Sequence, residues 1–204
     1  MTPYSLAFYV DVVTTGTVLG VRPSDSPERV AEVLGTDFAE NRFGPCDMFR
    51  DHGLVEFFWD RASAGEPWSG HHLTLQVHRL AHGGSRLVNG AVRARYGRFT
   101  PRLRFAKLRR LLERRGVPLV EVPEDPANTP YYRRFRQPGS GVEVSVIGTY
   151  GEYSTPDALR VGDVYSIQAT AAAHSVAART AGSAPPPPAA PLAAPPAAPR
   201  SSRT

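Results

Sequence analysis

The chain has 204 residues, 41% of them hydrophobic, a net charge of +5 and a single cysteine, Cys46. That length suits one ordinary domain or two small ones. The composition excludes an intramolecular disulfide and a CxxC motif, and no apolar run approaches the ~18 residues that a membrane-spanning helix needs.

The positive charge points toward phosphate, but Lys107 is the only lysine and isoleucine occurs only at Ile147 and Ile167. Arginine abundance therefore reads as the composition of a GC-rich genome as much as a design for nucleic acid. Arg179, Arg200 and Arg203 sit in an Ala/Pro-rich stretch that holds no acid, which leaves the remainder near +2. No basic residue precedes Arg22 and Asp11 interrupts the apolar run from Leu6 to Val13, so no secretory signal is expected and the location is expected to be cytoplasmic.

In chain order, Tyr4–Val13 is rich in Phe, Tyr and Val and reads as a strand. Ser26-Pro27-Glu28 then provides a cap, a first-turn proline and an acid at the positive end of a helix dipole, which predicts a short amphipathic helix over Pro27–Leu34 ended by Gly35. Pairing is expected to begin near Asp47–Phe49, turn at Asp51-His52-Gly53 and continue in a strand over Leu54–Asp60. That strand directs Val55, Phe57 and Trp59 to one face and Leu54, Glu56, Phe58 and Asp60 to the other.

His71–Leu80 reads as the next strand, with one wet face. Ala81–Arg98 reads as a glycine-rich linker with a short strand near Leu87–Val92. A second helix is predicted from Thr100-Pro101 to Arg115, with Phe105, Leu108, Leu111 and Leu112 as its apolar stripe. Strands are then expected at Val117–Val122, Tyr131–Arg136, Gly141–Ile147 and Asp163–Ala169.

The second half echoes the first. Val55-Glu56-Phe57-Phe58-Trp59 has a counterpart in Val142-Glu143-Val144-Ser145-Val146, and Leu75-Gln76-Val77 one in Ile167-Gln168-Ala169. The expectation is an α+β fold: antiparallel sheet with helices on one face, arranged as two tandem helix-plus-sheet units over residues 1–92 and 93–170. Residues 171–204 then form a disordered Ala/Pro-rich tail.

Candidate chemistry is sparse. His71, His72, His78 and His82 cluster in sequence, but residues six apart on a strand lie ~20 Å apart, so His72 and His78 cannot share an ion and read as surface histidines. Cys46 reads as a half-buried thiol rather than a nucleophile. Asp47, Asp51, Glu56 and Asp60 read as acids of a solvated face rather than an acid/base pair. No catalytic, cofactor or metal residue is assigned, and no enzymatic activity is expected.

Two sets of residues suit binding. Trp68, Tyr131, Tyr132, Arg133, Arg134 and Arg136, with Phe58, are of the types that anchor protein interfaces. The arginine run from Arg93 to Arg115 offers Arg102, Arg109, Arg110, Arg114 and Arg115 for phosphate, which makes nucleic acid the alternative partner, ranked below a protein.

The segment Val30–Gly35 (VAEVLG) followed by the His52–Phe57 strand (HGLVEF) resembles small actinobacterial immunity proteins of polymorphic toxin systems, chiefly over residues 20–80. The tandem arrangement is similar to that of beta-lactamase inhibitor proteins, without their paired cysteines. The resemblance implies a protein-binding role, neutralising a toxin, and supplies no catalytic residues.

Overall fold

The computed structural model describes residues 4–149 and 159–171. It contains five α-helices and eight strands: α1 Tyr4–Thr15, α2 Pro27–Leu34, β1 Ala39–Arg42, β2 Asp47–Asp51, β3 Val55–Asp60, β4 Ser69–Leu75, α3 Leu80–Gly83, α4 Gly90–Tyr96, α5 Phe105–Arg114, β5 Val120–Val122, β6 Tyr132–Arg136, β7 Glu143–Ile147 and β8 Val164–Thr170. All eight strands join one antiparallel sheet in the order β1-β2-β3-β4-β8-β7-β6-β5. The fold is α+β, as the sequence indicates. The expected Ala/Pro tail lies outside the described residues.

The order reads the same when the first four strands are exchanged with the last four. Glu56 of β3 faces Thr74 of β4, Glu143 of β7 faces Gln168 of β8, and Thr74 faces Gln168 across the junction. An approximate two-fold axis therefore passes between Thr74 and Gln168. The Val-Glu strands occupy equivalent places, but the echo in the last strands is out of register by two residues. Gln76 has already left the sheet, with its amide donating to the Leu54 carbonyl.

Side-chain alternation divides the sheet into a covered and an open face. Val55, Phe57, Trp59, Leu73, Leu75, Phe135, Val144, Val146, Ile167 and Ala169 are buried on the covered face. The Trp59 indole donates to the Asp25 carbonyl at 2.8 Å, Phe105 of α5 packs on Phe135 with ring centroids 4.2 Å apart, and Ser140 donates to the Val13 carbonyl at the end of α1.

Three expectations are corrected. Tyr4–Thr15 is a helix, because all but Ala7 and Asp11 of residues 5–13 are buried; a helix buried nearly all round loses the apolar periodicity that would announce it. Its phase survives in the narrow wet stripe Tyr4, Ala7, Asp11, Thr14 and Thr15.

Residues 81–98 are helical turns rather than a linker with a strand. Asn89 caps α4 by accepting from the Ala91 amide and ties it to α2 by donating to the Leu34 carbonyl.

The second helix begins at Phe105, not Thr100-Pro101. Residues 102–104 instead run against the start of β8: the Val164 amide donates to the Leu103 carbonyl, and Arg102 pairs with the buried Asp163 at 2.6 Å. These tertiary bonds override the local capping signal. Two shorter differences complete the comparison: β1 was not expected at all, and β4 stops at Leu75, where a helical turn over Val77–Arg79 replaces the expected continuation to Leu80.

Candidate protein-binding face

The open face of β2 and β3 is built from three rows that cross the strands. In the middle row Phe49 faces Phe58, and Phe58 faces His72 of β4. Their rings stack, with centroids 5.3 Å apart for Phe49–Phe58 and 4.1 Å for Phe58–His72. Phe43, just past β1, continues the ladder by stacking on Phe49 at 5.4 Å, and it is 69% exposed. His71 closes the other end, its Nδ1 2.7 Å from the Nδ1 of His72, so one imidazole donates and the other accepts.

Carboxylates make the rows on either side. Asp47 faces Asp60 in one, and Asp51 faces Glu56 in the other. The second row is internally bound: one guanidinium nitrogen of Arg79 pairs with Asp51 at 2.9 Å and another with Glu56 at 2.6 Å, while Gln76 donates to the second Glu56 oxygen. Glu56 is 4% exposed, which corrects its reading as a solvated acid; burial is tolerated because both carboxylate oxygens are hydrogen-bonded. Asp47 is exposed.

Gly53 fixes this geometry. It holds the hairpin turn at φ +86°, and a Cβ there would lie 2.0 Å from the Leu87 carbonyl oxygen, which accepts from the Leu54 amide. The turn sets the register that stacks Phe49 on Phe58.

Of the four histidines expected on the surface, His82 is exposed, whereas His71, His72 and His78 are half-buried. Burial pushes His72 down to about 3, with the neighbouring His71 adding to the effect. His78 stacks on Tyr165 at 4.2 Å, and burial followed by the Arg79 charge lowers it to about 4. Burial also lowers His52 to about 4. No group of three or more His, Cys, Asp or Glu side chains is placed to hold a metal ion among the described residues.

The interface residues expected from the sequence are dispersed. Trp68 lies before β4, packed against the core beneath Arg61, whose guanidinium is 4.1 Å from the ring centroid. Tyr131 to Arg136 lie at β6, with β8 and β7 intervening, roughly 14 Å from β4 at ordinary strand spacing. Within β6 the faces alternate. Tyr132, Arg134 and Arg136 share the open face, whereas Arg133 lies on the covered side over Phe135 and pairs with Glu121 at 2.8 Å. Tyr131 is 41% exposed and Tyr132 packs on Tyr165. Arg134 is tied to the Pro123 carbonyl and approaches Glu143 at 3.6 Å.

The phosphate candidates divide as well. Arg102 is committed to Asp163, Arg109 to Glu113 at 2.9 Å, and Arg115 lies 3.8 Å from Asp11; Arg110 and Arg114 are exposed on α5.

The sequence pointed to Phe58 but not to Phe43, Phe49 or His72. Their signal was the hairpin register set by the Asp51-His52-Gly53 turn. Compared with protein-family models, with curated proteins and with solved structures, the chain matches none. No helix among the described residues is long and apolar enough to cross a membrane.

Proposed function

We propose that this chain is a non-enzymatic protein-binding module that covers its partner with the open face of β2, β3 and β4. One observation carries the reading: a contiguous row of aromatic side chains stands on the open face of the sheet, ending in a phenylalanine that is 69% exposed. Rigid aromatic side chains in a row supply contact area at low entropic cost, and phenylalanine is enriched at the cores of protein interfaces. The resemblance of residues 20–80 to immunity proteins makes a toxin the first partner to test.

The test is a pull-down from source lysate with the full chain, eluted with salt and repeated with Phe43→Ala/Phe58→Ala. A stoichiometric protein that survives moderate salt on the parent chain and is lost from the double variant supports the reading. Retention by both chains, or release of nucleic acid alone at low salt, contradicts it.

A further inference from the structure

Building on the reading of the aromatic row as a binding surface, we infer that the partner is a protein presenting arginine or lysine side chains around an apolar centre. Charge on this face runs against the molecule's own bias. The chain carries a net charge of +5, yet β2 and β3 send four carboxylates to the open face, Asp47, Asp51, Glu56 and Asp60, and no basic side chain. The one basic residue of these two strands, Arg50, is on the covered side, where its guanidinium sits over Phe38 and donates to the Pro27 carbonyl.

The face also contains its own example of what it binds. Arg79 reaches Asp51 and Glu56 from outside the strands and bridges the two carboxylates of one flanking row. The opposite flanking row places Asp47 beside Asp60 at the same distance from the aromatic row, two residues along each strand, about 7 Å. A guanidinium or ammonium group from a partner fits at the exposed Asp47 as Arg79 fits at Asp51.

The outer side of Phe43, at the end of the stack, is open to a cation over its ring. The aromatic row takes the apolar part of the partner, and the exposed Asp47 selects against acidic surfaces. Charge at the rim then sets association rate and specificity, while the apolar row holds the complex.

The test uses the full chain, labelled for heteronuclear NMR, and two synthetic heptapeptides that differ only in charge. One alternates arginine with tryptophan and leucine; the other has glutamate in place of every arginine. The expected result is that the arginine peptide shifts the resonances of Asp47, Phe49, Phe58 and His72 and binds at least tenfold more tightly than the glutamate peptide. Asp47→Asn/Asp60→Asn is expected to weaken it at least threefold, with the spectrum otherwise unchanged, so that loss of fold is not mistaken for loss of binding.

Equal binding of the two peptides at these residues would overturn the basic-partner inference and leave the surface itself standing. Shifts confined to other parts of the chain, or undiminished binding to the Asn variant, would also overturn it. Shifts at the aromatic row on dilution without peptide would replace the basic partner with a second copy of this chain.

Discussion

Strands β1–β4 and β5–β8 hold equivalent places in one sheet, and their open faces carry different chemistry. The first half offers stacked phenylalanines and histidine between rows of acids. The second offers Arg134, Arg136, Glu143, Ser145 and Tyr132, a polar surface closed on itself by Arg134 with Glu143 and the Pro123 carbonyl, and by Tyr132 with Tyr165. The covered faces, by contrast, are alike: both bury aliphatic and aromatic side chains under helices. The two halves hold their packing in common, and the divergence on the open side is the reason the proposed binding surface is placed on the first half.

The largest contrast between the halves is expected at their turn glycines. Gly53→Ala puts a methyl group 2.0 Å from the Leu87 oxygen at a positive φ and is expected to cost more than about 4 kcal/mol by denaturant unfolding, or to prevent folding. Gly141→Ala has only the strain of φ +71°, since its nearest neighbour lies 3.7 Å away, and should cost about 1–2 kcal/mol. Similar costs at the two positions would mean that the close approach of Gly53 to the Leu87 carbonyl does not hold the first hairpin.

The ion pairs form a second contrast. Arg79→Ala leaves the buried Glu56 without its cation and is expected to cost about 3 kcal/mol, whereas Arg134→Ala breaks a partly exposed contact to Glu143 worth under about 1 kcal/mol. Urea denaturation of the two variants side by side checks this.

Acid provides a third. His52 and His72 in the first half and His78 beside β8 all have folded-state values depressed below 6.5, chiefly by burial. Between pH 6.5 and about 4 the unfolded chain binds protons that the folded chain refuses, so stability is fully present above pH 6.5 and falls as the pH drops. Each histidine contributes a slope of roughly 1 kcal/mol per pH unit within that window. His72→Phe keeps the stack and should flatten the profile measurably; an unchanged profile would mean that His72 protonates without disturbing the row.

The smallest effect is expected on α5. Arg110→Ala/Arg114→Ala changes exposed side chains and should alter stability by less than about 0.5 kcal/mol and leave partner retention unchanged. Loss of retention would move the binding surface to the arginine segment.

Much of the scaffold was legible because its signals are local. Ser26-Pro27 and Gly35 marked α2, and the alternation of Val55, Phe57 and Trp59 marked the central strand. What failed was decided by distant contacts. Burial on nearly every side hid the helix at Tyr4–Thr15, and pairing of residues 102–104 with β8 moved the start of α5. The candidate face was half legible. Phe58 stood out as an aromatic on a strand, but its stacking on His72 depends on the pairing of β3 with β4 and the irregularity after Phe58, which no local pattern records.

Hydroxyl-radical footprinting of the aromatic side chains, with and without the protein retained in the pull-down, distinguishes the two halves of the sheet. The partner is expected to protect Phe43, Phe49 and Phe58 severalfold and to leave Tyr131 and Tyr132 unchanged. Protection of Tyr131 and Tyr132 with the three phenylalanines still reactive would place the binding surface on the other half of the sheet.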